Sequence, residues 1–442
     1  MLKSIFTLML TVALGFSLSA CTGGAEIIKK TTTKTTLNIS YYNVKYGNDW
    51  INDIVTEFKK SNPEIIVNLS GDAQLNNKLS LLLGAQQTPD IIFASQTNWR
   101  YYAANGYLAN LNGLYNTVID NNKHLTEKIQ PGFLNNFSYN SNYWVVPWGD
   151  GVTGLIYNSS LFKSNNWKVP TTVAELKILV TQMKAKNIQP FSWGGNSLDG
   201  WNDIVTGWWV QYEGENAIKD YLQMQGPQVY GQIGRLKGLE TFNDLVSDVT
   251  NSIDNPLSAD DNRVFSEFYS GKAAMLPGSY IYKTMTSNKP PVDFEMKMMR
   301  LPAIDGAKQA DLDVSTSGDF AAIPAGAKNE KNAEKFLAFM SKDDMLSLFT
   351  LKTGSTRPFV YNAVGTKGLT GLTASAAELW QNDKKIYMYS LKPVYYSQFF
   401  DWPLSGSPLI QILSGNETAQ SAFDKNVEYA QNNWDNVVRK YS

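Results

Sequence analysis

Strand-like and helix-like hydrophobic patterns alternate three times between residues 37 and 93. Leu37–Tyr42 and Ile65–Leu69 have the character of strands, and Asp90–Phe93 is a third, short and apolar one. Between them, residues 50–58 and 75–83 carry apolar side chains at helical spacing. This order predicts a parallel sheet with crossover helices, in which ligands bind beyond the carboxyl ends of the strands.

A second set of elements begins near residue 172. Thr172 and Glu175 have the spacing of a capping box, which predicts a helix start at that point. The same reading of spacing predicts strands at Gln189–Gly195, Gly271–Tyr280 and Phe320–Ile323, and helices at 201–209, 333–340, 342–349 and 418–441.

The N-terminus has the pattern of an export signal. Lys3 precedes a short apolar run, Ile5–Phe16, and the small-residue stretch Leu18–Cys21 follows it. We interpret residues 1–20 as a signal peptide and 21–36 as a polar, lipidated tether. The stretch Leu-Ser-Ala-Cys resembles the lipobox of bacterial lipoproteins, which implies lipidation of Cys21; a plain buried cysteine is the alternative.

Composition narrows the class of partner. The 442 residues include 39 Lys and Arg against 40 Asp and Glu, and 12% are aromatic. A charge balance this even argues against a nucleic-acid surface, which needs concentrated positive charge. With Cys21 as the single cysteine, no intramolecular disulfide can form, so the core must hold the fold. A largely neutral partner is the simplest expectation.

A glycine pattern, G-x-G-x-x-G, stands at Gly149, Gly151 and Gly154. A dinucleotide-binding turn requires a helix after the last glycine, because the pyrophosphate lies on the helix N-terminus. A β-prone run follows Gly154 instead, and the acidic residue at the expected distance, Glu175, falls inside a later predicted helix. The pattern therefore does not predict a nucleotide site.

Several motifs, in this order, resemble the extracellular solute-binding proteins of carbohydrate ABC transporters, the family that includes maltose-binding and glycerol-3-phosphate-binding proteins. The motifs are the lipobox, Thr-Pro-Asp-Ile-Ile-Phe93, Val-Pro-Trp148 with Leu-Ile-Tyr-Asn158, Gly-Lys-Ala-Ala-Met275 with Gly-Ser-Tyr280, Leu-Pro302, and Asn-Ala-Glu-Lys-Phe-Leu-Ala-Phe-Met340.

The resemblance implies an α/β, two-lobed periplasmic-binding-protein-like fold of type II, with a ligand cleft between the lobes and hinge crossings. Lobe 1 would comprise residues 37–148 and 303–352, and lobe 2 residues 149–302 and 356–442. Because the chain crosses between lobes near Gly149, Gly151 and Gly154, these glycines would supply backbone freedom at a hinge.

Trp148 and Asp150 would then line the cleft, one as a stacking face for a sugar and the other as an acceptor for its hydroxyls. The alternative is that Trp148 is core and Asp150 a turn residue. By position, the resemblance implies further ligand contacts at Asn43, Gln74, Gln96, Trp99, Trp193, Trp201, Ser279, Tyr280, Gly318, Asp319, Arg357 and Trp402.

Most of these contacts have a plain structural alternative. Asn43 and Gln74 could be ordinary turn residues, Trp193 and Trp201 packing residues, and Arg357 a surface residue. Relatives often have Trp where this chain has Tyr280, so the stacking geometry there differs, and Trp402 falls where maltose-binding proteins carry an aromatic platform, with a core position as its alternative.

The resulting prediction is a substrate-binding lipoprotein. It would lie outside the cytoplasm, anchored to a bacterial membrane, and act as a monomer that captures a sugar by hinge closure and delivers it to ABC transporter permease subunits. A sugar-sensing receptor or adhesin with the same cleft is the first alternative.

An enzyme is the second alternative. A glycosidase needs two carboxylates, which Asp150, Asp203 and Asp319 could supply. The single histidine, His124, lies in a polar stretch and is predicted to be a solvated loop or helix-end residue. We find no P-loop or nucleophile elbow and expect no cofactor and no metal.

Overall fold

The structure is a computed structural model that describes residues 34–84, 88–95, 97, 99–149, 153–195, 198–222, 225–279, 290–315, 318–382, 385–388 and 408–441. The strands are β1 (Thr35–Tyr41), β2 (Ile65–Gly71), β3 (Ile91–Ala94), β4 (Val118–Asp120), β5 (Lys123–His124), β6 (Ser138–Tyr139), β7 (Asn142–Tyr143), β8 (Val145–Pro147), β9 (Thr153–Asn158), β10 (Gln189–Phe191), β11 (Ala273–Ser279), β12 (Met296–Arg300), β13 (Leu312–Ser315), β14 (Phe320–Ala322) and β15 (Lys385–Met388).

The helices are α1 (Asp49–Ser61), α2 (Leu75–Gly84), α3 (Trp99–Ala104), α4 (Asn112–Tyr115), α5 (Leu125–Lys128), α6 (Pro131–Asn136), α7 (Ser159–Ser164), α8 (Val173–Lys184), α9 (Asp199–Glu213), α10 (Glu215–Leu222), α11 (Ile233–Val246), α12 (Asp261–Tyr269), α13 (Glu330–Met340), α14 (Asp343–Thr353), α15 (Gly371–Asn382), α16 (Pro408–Leu413) and α17 (Ala419–Tyr441). None of the helices in the described ranges is long and apolar enough to span a membrane.

The first sheet has the strand order β2-β1-β3-β14-β8. β1 pairs in parallel with β2 and β3, as the alternating pattern predicts, whereas β14 pairs antiparallel with both β3 and β8. Helix α1 presents its apolar stripe, which includes Trp50, Ile54 and Phe58, to this sheet's core. The late strand β14 therefore enters a sheet that otherwise comes from the first third of the chain.

A second sheet of four strands follows the order β10-β11-β9-β12. Helix α8 begins where the capping box predicts, since Thr172 Oγ1 accepts a hydrogen bond from Glu175 N at 3.2 Å. The reciprocal bond differs, because Glu175 Oε2 accepts from Thr171 N at 2.7 Å rather than from Thr172 N. The helix predicted at 201–209 is part of α9, which packs against α11.

The unit boundaries differ from the prediction at two places. Ile304, predicted in lobe 1, packs in the second core, and its N–H donates to Gln211 Oε1 at 3.1 Å. Phe359 and Tyr361, predicted in lobe 2, pack in the first core. A hydrogen bond of 2.6 Å between Tyr361 Oη and Thr350 Oγ1 ties this segment to α14. The chain thus crosses from the second core to the first after β13. It returns to the second unit after the segment 356–363, rather than at residue 356 as predicted.

Candidate ligand-binding site

Four segments of the first unit meet at one edge of its sheet. The carboxyl ends of β1, β3 and β8 lie beside the amino end of β14, because β14 runs antiparallel to β3 and β8. Lys45 and Tyr46 follow β1, Ser95 follows β3, Trp148 follows β8, and Asp319 precedes β14. Residues distant in sequence are thereby brought together where an open α/β sheet binds its ligand.

The Asp319 carboxylate is the centre of this edge, with a side chain that is only 3% exposed. Its Oδ2 accepts hydrogen bonds from Lys45 Nζ at 2.7 Å and Tyr46 Oη at 2.6 Å, and Ser95 Oγ donates to its Oδ1. The Asp319 carbonyl also accepts from Trp148 N at 2.9 Å. We refer to Lys45, Tyr46, Ser95 and Asp319 as the Asp319 cluster.

Gly149 is required by close packing against this cluster. A Cβ built at Gly149 would lie 2.1 Å from Tyr46 Oη and 2.7 Å from Asp319 Oδ2, too close for any side chain. At Gly154 a Cβ would lie 2.4 Å from the Met299 carbonyl of the neighbouring strand. Neither glycine has a left-handed φ. The structure thus gives these two glycines a steric reason that differs from the predicted backbone freedom.

Strand β9 begins at Thr153, within the glycine pattern, and contains its last glycine, Gly154. A helix N-terminus is what a dinucleotide turn would need there. The β-prone run after Gly154 thus forms a strand, as the sequence pattern predicts.

Arg357 lies completely buried, with a relative exposure of 0%, so the surface alternative is wrong. Its guanidinium lies against the Trp148 ring, 4.9 Å from the Phe349 centroid and 5.2 Å from that of Phe359. Within the described part of the chain, none of its three nitrogens has a hydrogen-bond partner. Burial lowers the pKa of Arg357, and the nearby Tyr361, Tyr46 and Asp319 oppose that shift.

Trp148 lies at the predicted edge but is 3% exposed. Its ring contacts Trp50, Phe93 and Phe349 at centroid distances of 5.3, 5.2 and 5.3 Å. Its Nε1 donor has no partner among the described residues. In this conformation Trp148 therefore offers no free stacking face; it joins the first core to the guanidinium of Arg357.

Asn43 and Gln74 follow β1 and β2, as predicted, at the same sheet edge. Asn43 is half-buried, and its carbonyl accepts from Gly47 N at 3.0 Å. Gln74 is exposed, and its Oε1 accepts from Asn77 Nδ2 at 2.8 Å. These bonds are those of turn residues, and a ligand contact at either position remains a prediction.

Three other tryptophans among the predicted ligand contacts, Trp99, Trp193 and Trp201, serve packing. Trp99 is stacked on Phe137 with an interplanar angle of 5°. Trp193 is 3% exposed and donates from Nε1 to Ser252 Oγ at 2.8 Å. Trp201 is 1% exposed in the second core. Trp193 and Trp201 therefore lie in packing positions, which was the alternative to a ligand contact.

Two further predicted positions lie near the crossings. Ser279 ends β11 opposite Thr153 of β9, and the half-buried Gly318 immediately precedes Asp319. The remaining predicted residues, Cys21, Gln96, Asp150, Tyr280 and Trp402, lie outside the residues that the structure describes.

Lys45, Tyr46 and Ser95 were missed by the sequence reasoning. They occupy the positions that the rule for carboxyl strand ends would select, because Lys45 and Tyr46 follow β1 and Ser95 follows β3. Phe349 had no such signal, since it reaches the site from the interior of α14 through packing on Tyr46 and Trp148.

The residues considered for enzyme chemistry include Asp319 and His124, which the structure describes. Asp319 accepts three side-chain hydrogen bonds, from Lys45, Tyr46 and Ser95. His124 is the exposed N-cap residue of α5, a helix-end position as predicted. In the described part of the chain, no group of three or more His, Cys, Asp and Glu side chains could hold a metal ion.

A separate cavity of about 400 Å³ lies in the second unit, lined by residues that include Lys184, Gln189 and Asp254. Gln189 begins β10, and β10 runs parallel to β11, whose last residue is Ser279. The cavity is therefore at the edge of the second sheet opposite the crossing between the units.

The sequence profile of the family described as bacterial extracellular solute-binding protein matches residues 45–345, more than half of the chain. This chain belongs to that family. The matched region contains the whole Asp319 cluster and Trp148 but ends before Arg357. The resemblance stated from the sequence motifs is thereby confirmed.

Relatives with known names support the same placement. The chain is 26% identical over 318 residues to the multiple sugar-binding protein of Streptococcus mutans, which covers 69% of this chain and 71% of the relative. Among solved structures, it is similar to RafE from Streptococcus pneumoniae, with a TM-score of 0.70, 19% identity and coverage of 90% of this chain and 98% of RafE.

The bacterial solute receptor AcbH is similar as well, with a TM-score of 0.69, 13% identity and coverage of 92% of this chain and 98% of AcbH. At these identities the structural likeness establishes the fold. The predicted two-lobed α/β binding-protein fold is confirmed.

Proposed function

We propose that this protein captures a sugar or oligosaccharide outside the cytoplasm and delivers it to the permease of an ABC transporter. The observation that carries the proposal is the convergence of the Asp319 cluster and Arg357 at the ligand-binding edge of the first sheet, beside the crossings to the second unit. The names of similar proteins agree, since they include a multiple sugar-binding protein and a receptor described by its preference for β-D-galactopyranose.

The chemistry of the edge suits a polyhydroxylated ligand. Hydroxyl groups both donate and accept, so ammonium, phenol, hydroxyl and carboxylate groups can each pair with one. A polar group left unpaired in a closed site costs about 1 to 3 kcal/mol, so each hydroxyl contact adds discrimination between sugars. The ligand contacts predicted at Asn43, Gln74, Trp148 and Asp319 belong to this proposal.

Hinge closure would bring the second unit onto the ligand. Ser279, the last residue of β11, lies opposite Thr153 of β9 in the second sheet, and we expect this end of the sheet to contribute ligand contacts. A permease can distinguish the closed form because only that form presents both units in one arrangement. Lipidation of Cys21 and a monomeric state complete the proposal, with a sugar sensor as the alternative.

The test is thermal unfolding of the purified protein with a panel of neutral and acidic mono- and oligosaccharides. A ligand at a hundred times its dissociation constant adds about 2.7 kcal/mol, which should raise the midpoint by several degrees. Mass spectrometry of the recovered sugar checks that it is unchanged. A sugar recovered cleaved would support the glycosidase alternative, and a panel without any shift would contradict a carbohydrate ligand.

Two glycine variants localise the site. Gly149→Ala forces a methyl group into Tyr46 and Asp319, so it should abolish the ligand-induced shift. Gly113→Ala is the matched control, because a Cβ there meets nothing within 4 Å. Equal shifts in both variants would place the sugar elsewhere.

A further inference from the structure

Two cations and one carboxylate meet at the candidate site within the described residues. Asp319 is paired with Lys45 at 2.7 Å, whereas the Arg357 guanidinium has no hydrogen-bond partner there. Asp319 is thus already neutralised by an ion pair, and the charge of Arg357 is left over. An excess positive charge beside a ligand site selects for ligands of the opposite sign.

The donors of Arg357 are buried and have no acceptor among the described residues. Rings of Trp148, Phe349 and Phe359 cover it through cation–π contacts. Its five N–H donors lie in the guanidinium plane, where they match the two oxygens of a carboxylate or phosphate. Trp148 Nε1, in contact with the same guanidinium, is another buried donor without an acceptor in the described part of the chain.

A purely structural role would not explain this arrangement. A buried charge without a partner costs several kcal/mol, and Met at the same position would fill similar space without that cost. Arg300 offers a contrast, because its side chain is 35% exposed and its Nε donates to Asp313 Oδ2 at 2.8 Å. The unused donors of Arg357 therefore indicate an acceptor that the described residues do not supply.

We propose that the sugar bound by this protein carries an anionic group, above all a uronic acid carboxylate, and that Arg357 pairs with that group. This inference rests on the proposed sugar-binding function and narrows its substrate class. Because Arg357 is fully covered, the guanidinium or the Trp148 ring rotates when the anionic group enters. Sugar phosphates share the same chemistry and form the second arm of the test.

The experiment compares matched acidic and neutral sugars by titration calorimetry. The purified protein is titrated with galacturonate and galactose, with glucuronate and glucose, with short oligomers of these sugars, and with galactose 1-phosphate. We expect the acidic member of one pair to bind at least tenfold more tightly, with the preference decreasing as salt is raised. A tighter sugar phosphate would assign the anion as phosphate.

Three variants test the role of Arg357. In Arg357→Met the ratio of acidic to neutral affinity should fall to about one, and in Arg357→Lys, which keeps the charge without the planar fork, to an intermediate value. Arg100→Met is the matched control, because Arg100 also covers a tryptophan, Trp99 at 4.5 Å, but lies outside the Asp319 cluster. Its ratio should equal that of the unchanged protein.

Asp150 requires its own variant, since it follows Trp148 by two residues in the sequence. If Asp150 neutralised Arg357, the unchanged protein would show no preference for acidic sugars and Asp150→Asn would gain one, which would overturn the inference. Neutral sugars that bind as tightly as their acidic partners would overturn it too, while sugar binding itself would stand. Failure of every sugar to bind would instead contradict the proposed function.

Discussion

Asp319 and Arg357 are two buried charges at the same sheet edge, but they differ in their hydrogen-bond partners. Asp319 receives hydrogen bonds from Lys45, Tyr46 and Ser95, whereas Arg357 has aromatic rings on its faces and no hydrogen-bond partner among the described residues. A buried charge is ordinarily tolerated only when it is paired. The difference separates a group that organises the edge from a group whose donors have no acceptor among the described residues.

The largest effect is expected from breaking the paired charge. Asp319→Asn removes the carboxylate from Lys45, a side chain only 12% exposed, and leaves a nearly buried ammonium group without its counter-charge. We expect the free energy of unfolding to fall by about 3 kcal/mol, as for other buried pairs. Urea denaturation measures it, and an unchanged midpoint would show that the cluster contributes nothing to stability.

A smaller loss is expected from crowding the same cluster. In Gly149→Ala the new methyl group lies within 2.7 Å of both Tyr46 and Asp319, so these side chains must move. Overpacking of this kind costs about 1 to 3 kcal/mol. Gly113→Ala, an exposed helix position with free space, should be neutral or slightly stabilising in the same denaturation experiment.

Removal of the unpaired charge should raise the free energy of unfolding rather than lower it. Arg357→Met removes the desolvated guanidinium but also its contacts with Trp148 and Phe349. We expect a net gain of about 1 kcal/mol in unfolding free energy, together with the loss of preference for acidic sugars. A large loss of stability would mean that Arg357 serves the fold, and the contrast with Asp319 would disappear.

The smallest effect is expected at an exposed ion pair of the same unit. Asp72 and Lys78 approach to 2.7 Å, with side chains that are 30% and 52% exposed. Solvent screens such pairs, so Asp72→Asn should leave stability unchanged within the precision of denaturation. A loss comparable to that of Asp319→Asn would refute burial as the source of the difference.

Much of the fold could be predicted from the sequence because its elements have clear local signals. The alternation of β1, α1, β2, α2 and β3 follows from hydrophobic spacing alone. The assignment of residues 303–312 and 356–363 to units failed because long-range contacts decide it, such as those of Ile304 with the second core and Tyr361 with α14.

The candidate site was only partly accessible to sequence reasoning. The family resemblance led to Asn43, Trp148 and Asp319, which do lie at one edge. It could not distinguish a tryptophan that packs, such as Trp201, from one at the edge, because both are large aromatic side chains in apolar surroundings. Nor could it show that Arg357 is buried without a partner, a property of the three-dimensional packing.

The most direct test of the account is a crystal structure of the protein with the tightest-binding sugar of the panel. We predict that the sugar lies at the carboxyl edge of the first sheet, with its oxygen atoms within hydrogen-bond distance of Arg357 and of the Asp319 cluster. A sugar found instead in the cavity beside Lys184 and Asp254 of the second unit, with Arg357 still covered, would contradict the account.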